Sequence, residues 1–338
     1  MCYAYNFFMS RMKDIRPYIR KLPINSSQKL RLYNSIHRLY WKYKYSPDEY
    51  VKCLEKETFI PTNHYYGHEY WLRHYSGYND YIYGMIEHGV YFGDNRNKVG
   101  QVEEWDMGSI ITFGDSRINL LKGLYPDFNI FGIGPRIHYA EMDMDYYREL
   151  QSIIDQTSKT MVLYPHHSLY ERESNYDVNK FMSEASMVAK DLCAKNILVS
   201  LHPADIVHGF NEIYEGNRFI TVTGGANPVK FLPRLKAIMS LADIIYSNTL
   251  GTHVGYGIYM KKPIVMSLDS KRVVYKNKSY QEEELKFASV FNGSHPYEIT
   301  KEQIDLCDYY FGFSHTKSPA ELSDEFQKCK TEYIKRFK

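Results

Sequence analysis

The stretch 241–269, LADIIYSNTLGTHVGYGIYMKKPIVMSLD, constrains the fold of this chain most strongly, because apolar runs alternate there with a helix-length segment. The pattern predicts a strand over 243–246, a helix that begins near Gly251 and a second strand over 263–267. Strands joined through a helix in this way are typical of a parallel sheet. The sequence therefore predicts an α/β fold.

Ser247, Asn248 and Thr249 form a polar turn between the first of these strands and the helix. Hydroxyls and unpaired backbone N–H groups at the beginning of a helix favour an anion. Ligands also collect outside the carboxyl ends of strands in open parallel sheets. The turn therefore predicts an anion site, with one alternative: Ser247 and Thr249 only cap the helix.

The length of 338 residues suffices for two domains, and 44% hydrophobic and 24% charged residues are typical of a globular protein. A net charge of only +2 argues against nucleic acid as a partner. The 33 tyrosines suit a wet cleft such as a sugar site, because tyrosine both packs and hydrogen-bonds. They fit an AT-rich genome equally well.

The five cysteines are scattered and match neither a zinc site nor a disulfide framework, which favours a reducing cytoplasm. No apolar run approaches the ~18 residues that span a bilayer. The first residues place a short apolar run before the charges, the reverse of a secretory signal peptide. We therefore expect a cytoplasmic protein, either soluble or peripheral on the inner face of the plasma membrane.

Residues 1–58 form a basic segment with aromatic side chains at helical spacing, and they predict a helical N-terminal arm. Between Arg11 and Lys44 there are ten lysines and arginines and a single acidic residue, Asp14. A basic amphipathic helix of this kind can lie on anionic lipid headgroups. The alternative is a helical cover that packs on the protein and keeps its charges in solvent.

The segment 59–145 predicts a first Rossmann-like domain with three strands, 81–86, 109–113 and 128–133. The strands end in three polar motifs: Glu87-His88-Gly89, Gly114-Asp115-Ser116 and Gly134-Pro135-Arg136. Polar residues at the carboxyl ends of parallel strands are where a ligand site is expected. An acidic and polar stretch, 141–158, predicts a helical connection to the next domain.

The segment 155–295 predicts a second Rossmann-like domain, with further strands over 160–164, 196–201 and 219–223. Helices are predicted over 178–194 and 228–241. The remaining 296–338 forms a tail with a helix after Pro319. The sequence contains no P-loop and no well-placed GxGxxG fingerprint of a dinucleotide site.

His202-Pro203, followed about 45 residues later by Ser247-Asn248-Thr249 before a helix, resembles the paired HP and Ser/Thr motifs of bacterial sialyltransferases and β-Kdo transferases. The layout is also similar to the CDP-glycerol glycerophosphotransferases of wall teichoic acid synthesis. Glu87-His88-Gly89 stands where the first group keeps an acidic pair before glycine and the second keeps histidine before glycine. The resemblance covers roughly 82–268 and implies a GT-B fold, two Rossmann-like domains that face a cleft.

An inverting glycosyl transfer needs a base that takes the proton of the acceptor hydroxyl, and His88 or a Glu87 of raised pKa can serve near neutral pH. The leaving phosphate needs hydrogen-bond donors. The predicted donor-side residues are His202, Pro203, Ser247, Asn248, Thr249, Gly251, Thr252, His253, His166 and Ser168. Arg136 and Asp115 are predicted on the acceptor side. No DxD motif suggests a metal, and no cofactor is expected.

The sequence therefore predicts a glycosyltransferase that moves a sugar from a nucleotide donor, with CMP-sugars favoured, to a surface polysaccharide or lipid-linked glycan. Three alternatives stay open: a glycerophosphotransferase-like enzyme that uses a CDP-alcohol, a sugar-nucleotide 2-epimerase, and a non-catalytic membrane-associated protein of the same fold. The predicted partners are the nucleotide-sugar, the glycan acceptor and, through residues 11–44, an anionic membrane.

Overall fold

A computed structural model of the chain describes residues 22–23, 61–93, 107–168, 173–217, 219–225, 227–271, 278–292 and 297–337. The predicted N-terminal arm, 1–58, lies outside these ranges apart from 22–23, so its helices stay a prediction. None of the helices in the described ranges is long and apolar enough to cross a membrane.

The first unit contains a parallel sheet in the order β1-β2-β3. Its strands are β1 (Met85–Ile86), β2 (Ser109–Thr112) and β3 (Asn129–Gly132). Helices α1 (His68–Ser76) and α2 (Asp115–Leu124) belong to this unit, and the 3-10 stretch Pro61–Gly67 precedes α1. The three predicted strand positions are confirmed.

Strand β1 is shorter than predicted, since only Met85 and Ile86 pair with β2. On the other edge of the strand, the amide of Asn63 donates to the carbonyl of Gly84 at 2.8 Å and accepts the N–H of Ile86 at 2.7 Å. A side chain thus occupies backbone groups that no further strand of the described structure pairs with.

The second unit contains a parallel sheet in the order β6-β5-β4-β7-β8. Its strands are β4 (Lys159–Tyr164), β5 (Ala194–Ser200), β6 (Ile220–Val222), β7 (Ile244–Ser247) and β8 (Ile264–Met266). The helices are α3 (Met144–Ser152), α4 (Val178–Asp191), α5 (Pro203–Val207), α6 (Phe210–Gly216), α7 (Pro228–Leu241), α8 (Thr252–Tyr259) and α9 (Lys278–Phe291). Helix α9 stands where the sequence indicated only a polar stretch.

The strand order of the second sheet reverses between β4 and β7. The chain moves outward from β4 to β5 and β6, and then returns to the other side of β4 with β7 and β8. A crevice opens at such a switch point, outside the carboxyl ends of the two strands, and it is the usual ligand position in open parallel sheets. The residues that follow Tyr164 and Ser247 lie at this point.

The two units share one hydrophobic core, which contains Trp71 and Phe113 of the first unit and many residues of the second. The indole N–H of Trp71 donates to the carbonyl of Val229 in α7 at 2.8 Å. Lys236, also in α7, donates to the carbonyls of Ile137 and Ala140 at 3.2 and 2.7 Å. The predicted fold class, two α/β units with parallel sheets, is confirmed.

The tail contains α10 (Lys301–Phe311) and α11 (Pro319–Phe337), of which the sequence predicted only the second. Helix α10 contacts both α8 and α2, whereas α11 returns to α1 and β2. Gly255 in α8 permits this packing, since a methyl group placed on it would meet the Phe311 ring at 2.1 Å. The tail therefore links the two units.

Candidate active site

A cleft of about 390 Å³ lies between the two units, at the switch point of the second sheet. Its volume falls in the range of small-molecule sites. The described residues that line it include no aspartate, glutamate, lysine or arginine. They do include six histidines: His68, His88, His166, His167, His202 and His253.

His88 follows β1 and lies on the first-unit side of the cleft. Its Nδ1 is 3.2 Å from the hydroxyl of Tyr91, and the ring of Tyr65 meets it edge-on at 5.3 Å. A general base needs the tautomer in which Nδ1–H donates to the Tyr91 oxygen, because Nε2 then keeps the lone pair. Tyr91 is thus placed to orient the imidazole.

Glu87 points into the core and is only 3% exposed. Its carboxylate accepts from Arg117 at 2.6 and 2.9 Å and from the hydroxyl of Thr112 at 2.6 Å. The Arg117 guanidinium also lies 4.8 Å from the centre of the Tyr91 ring. Glu87 is therefore linked to His88 through Arg117 and Tyr91, and it is not among the described residues that line the cleft.

Helix α8 begins at the cleft with Gly251 as its N-cap, and no side chain caps it. Gly251, Thr252 and His253 all line the cleft. A methyl group on Gly89 would lie 3.6 Å from Thr252 Oγ1, so the residue after His88 almost touches the helix start. The uncapped N–H groups of α8 can bind an anion beside His88.

Ser247 is the last residue of β7 and is fully buried, not part of an exposed turn. Its hydroxyl donates to the carbonyl of Tyr164 at 2.7 Å and lies 2.9 Å from His253 Nε2. Asn248 accepts the backbone N–H of His166 at 2.7 Å. Neither side chain lines the cleft, and Ser247 does not cap α8 as the alternative for that residue expected. Their hydrogen bonds hold the carboxyl ends of β4 and β7 together.

Thr249 lines the cleft, and behind it a buried ion pair supports the start of α8. The carboxylate of Glu284 accepts the N–H of Leu250 at 3.0 Å and pairs with Lys271. The Lys271 ammonium also reaches Thr249 Oγ1 at 3.4 Å. This pair fixes the turn from which the helix starts.

His166, His167 and His202 form a row on the second-unit side. The rings of His166 and His167 are 6.3 Å apart and nearly parallel, and those of His167 and His202 are 5.1 Å apart. Adjacent side chains of an extended chain point in opposite directions. His166 and His167 nevertheless both line the cleft.

His202 is the N-cap of α5, and its Nδ1 accepts the backbone N–H of Ala204 at 3.2 Å. A neutral imidazole that accepts at Nδ1 carries its proton on Nε2, which makes Nε2 a hydrogen-bond donor. Burial, and secondarily the neighbouring His167, lowers the pKa of His202 to about 4. His202 is therefore a neutral donor at pH 7.

The remaining predicted site residues lie away from the cleft lining. Arg136 is 1% exposed, donates to the carbonyls of Gly134 and Thr112, and lies over the ring of Phe113. Asp115 is exposed and pairs with His315 at 3.0 Å. Ser168 is buried in the loop after β4, and Pro203 lies in the first turn of α5. The acceptor role predicted for Arg136 has no geometric support, because burial in the core removes its guanidinium from the cleft.

Sequence reasoning missed several residues that line the cleft. Tyr66 precedes α1, and Phe231 lies in α7. Gly224 follows β6, and Tyr280 in α9 donates its hydroxyl to the carbonyl of Leu250 at 3.2 Å. For Gly224, the sequence does offer an indication, because the Gly224-Gly225 pair directly follows a predicted strand. No local pattern marks the others, since tertiary packing brings them to the cleft.

Acid should destabilise this protein, because buried neutral histidines must be protonated when it unfolds. Burial is the main cause that lowers the pKa of His202 to about 4 and the pKa values of His64 and His253 to about 3. Between pH 6.5 and about 4 the unfolded chain therefore binds more protons at these residues than the folded protein does. The free energy of unfolding consequently decreases as the pH is lowered. Glu69, whose pKa burial raises to about 7, has the opposite effect: between pH 7 and pH 4.5 its contribution to the free energy of unfolding increases as the pH is lowered.

These histidines, together with His68, whose pKa burial also lowers, outweigh one glutamate. We therefore expect the free energy of unfolding to drop by on the order of 2 kcal/mol between pH 7 and pH 5. Urea denaturation at the two pH values measures it. His202→Asn, which keeps a good N-cap but does not titrate, should reduce the drop. Equal stability at both pH values would contradict the assignment of neutral buried imidazoles.

The structure thus defines a class: a protein of two α/β units with parallel sheets, whose shared cleft lies at a strand switch point. No protein-family model matches the chain, and neither does any curated protein sequence. Within the described residues no three His, Cys, Asp or Glu side chains are grouped as metal ligands.

Solved structures of similar fold include the wall teichoic acid polymerase TagF, at 12% identity and a TM-score of 0.45 over 75% of this chain and 69% of that one. A UDP-GlcNAc 2-epimerase from Methanocaldococcus jannaschii, in complex with UDP-GlcNAc and UDP, matches at 16% identity and a TM-score of 0.40, over 70% and 66%. The GtfA/B complex matches at 10% identity and a TM-score of 0.36, over 74% of this chain but only 53% of that one. Because these TM-scores are below 0.5, the fold assignment rests on the two sheets themselves.

Proposed function

We propose that this protein is a glycosyltransferase that moves a sugar from a nucleotide donor to a glycan hydroxyl. One observation carries the proposal: in the cleft at the switch point, His88 on the first-unit side lies close to the uncapped start of α8 on the second-unit side. A base and an anion site that face one cleft are what an inverting transfer requires, because the attacking hydroxyl and the leaving phosphate lie on opposite sides of the anomeric carbon.

The reaction follows from these positions. His88 takes the proton of the acceptor hydroxyl while its oxygen bonds to the anomeric carbon of the donor sugar. The bond from that carbon to the phosphate oxygen breaks, and its electron pair stays on the phosphate. Backbone N–H groups at the start of α8 and the Nε2–H of His202 stabilise the developing negative charge.

A CMP-sugar is the donor that we propose. The described lining of the cleft offers an anion one helix N-terminus and the neutral imidazoles of His202 and His253, and it includes no lysine or arginine. A helix N-terminus carries the equivalent of roughly half a positive charge, which suits the single charge of a phosphodiester better than the charges of a diphosphate. The same reasoning places a CDP-alcohol donor second.

A thermal-shift series with CMP, CDP, UDP and GDP tests the donor. We expect CMP to raise the melting temperature most, since a ligand at 100 times its Kd stabilises the folded state by about 2.7 kcal/mol. His202→Asn should weaken that shift without unfolding α5, because asparagine also caps a helix. A larger shift with CDP would favour the glycerophosphotransferase-like alternative, and no shift with any nucleotide would refute the proposal.

We also propose that the acceptor is a surface polysaccharide or lipid-linked glycan and that residues 11–44 hold the enzyme on an anionic membrane. Ten cations support this, since each contributes about 1 kcal/mol near such a surface. Co-sedimentation should show binding to anionic vesicles that is lost in 1 M salt, where the Debye length is about 3 Å. Binding that persists after deletion of residues 1–45 would contradict it.

A further inference from the structure

Tyr66 has a strained backbone at the edge of the cleft. Its φ of 57° and ψ of 15° lie in the left-handed region, which costs a residue with a side chain about 1–2 kcal/mol. Gly67 follows in the same conformation, with φ 72°, and a methyl group there would meet the carbonyl oxygen of Pro228 at 2.6 Å. The chain is therefore pressed against α7 at this turn. Strain of this kind is concentrated at functional sites.

The strained turn places the Tyr66 ring between the two units. It lies on Phe231 of α7 with ring centres 4.5 Å apart and planes tilted by 37°. The centre of the Tyr66 ring is 6.3 Å from that of His88, and Tyr66 and Phe231 both line the cleft. An aromatic surface thus stands beside the proposed base.

The chemistry of this surface selects a class of ligand. A pyranose presents C–H groups on its ring faces and hydroxyls around its edge, and an aromatic ring offers an apolar face to the former. An anionic acceptor such as a glycerol phosphate chain would need a second anion site beside the one assigned to the donor, and the described lining of the cleft contains no lysine or arginine to provide it. The surface therefore suits a neutral sugar ring.

His68 adds a polar group beneath the same surface. It lines the cleft, its side chain is 1% exposed, and its ring centre is 5.9 Å from that of Tyr66. Its Nδ1 has no hydrogen-bond partner within the described structure. A buried unpaired nitrogen needs an explanation, and a sugar hydroxyl that reached it would supply one.

We propose that the rings of Tyr66 and Phe231 are the acceptor platform, on which a neutral pyranose stacks with one hydroxyl directed at His88. The proposal rests on the glycosyltransferase function argued above and names the part of the cleft that the acceptor occupies. It replaces Arg136 and Asp115 as the acceptor side of the site.

Saturation-transfer NMR with methyl glycosides of glucose, galactose and N-acetylglucosamine tests the platform, with glycerol 3-phosphate as the anionic comparison. Tyr66→Asn is the informative variant, because asparagine tolerates the left-handed conformation and removes the ring together with its hydroxyl. Tyr66→Phe is its matched control, since it keeps the ring and removes the hydroxyl. Phe231→Leu removes the second ring and provides an independent variant.

We expect at least one methyl glycoside to bind wild type and Tyr66→Phe, with binding roughly tenfold weaker in Tyr66→Asn and in Phe231→Leu. CMP binding should be unchanged in all three variants. Unaltered glycoside binding by Tyr66→Asn and Phe231→Leu, or binding of glycerol 3-phosphate in place of the glycosides, would overturn the platform. Neither result depends on the nucleotide series, so the platform can fail while the proposed donor site stands.

Discussion

Replacing His88 by alanine should lower kcat by about 10²–10⁴-fold and leave nucleotide affinity nearly unchanged. The imidazole is proposed to act on the acceptor proton, whereas the nucleotide phosphate is held by α8 and His202 on the other side. Melting temperature should hardly change, because His88 is only partly buried at the edge of the cleft. Transfer rates and calorimetric CMP binding on the same preparation measure both quantities.

Tyr91→Phe is the matched control for the base. It keeps the ring that lies against Arg117 and removes only the hydroxyl 3.2 Å from His88 Nδ1. Because a positioning group is lost and the base remains, we expect a smaller fall in kcat, roughly 10-fold. Near-normal turnover in His88→Ala would refute the base assignment.

The main effect of replacing Glu87 by alanine should be a lower free energy of unfolding, not a direct effect on the reaction. Arg117, itself 3% exposed, would be left buried without its carboxylate, and breaking such a pair costs about 3–5 kcal/mol. Urea denaturation of the variant against wild type measures it.

The double variant Glu87→Met/Arg117→Met separates the two roles of Glu87. Apolar side chains of similar volume can replace a buried ion pair with little loss of stability, so the double variant should recover much of the deficit. Recovered stability with recovered turnover would make Glu87 a structural residue. A Glu87→Ala protein that is stable but has no turnover would instead show that Glu87 takes a direct part in catalysis, as the sequence suggested.

The sequence predicted the fold well where the signal is local. Helix α7 was predicted with the bounds that it has, because Asn227 and Pro228 mark its start and apolar periodicity marks its length. The position of His202 at the end of β5 also followed from the sequence, whereas the helix α5 that begins at Pro203 was not predicted.

The roles of individual polar side chains were less predictable, because their partners are distant in sequence. Nothing near Glu87 indicates that Arg117, 30 positions later, occupies its carboxylate. Ser247 likewise bonds to Tyr164, 83 positions earlier. A polar residue at a strand end satisfies the motif equally well whether its side chain faces the cleft or the core. Only the three-dimensional arrangement decides between the two.

The core that Trp71 shares with α7 bears on how the protein folds. Two units joined only at a hinge would melt in separate steps, whereas units with a continuous interior lose it together. We therefore expect one cooperative transition for the described part of the chain. A fragment limited to 155–295 would expose the apolar surface of α7 that the first unit covers, so neither half should be a stable protein when expressed alone.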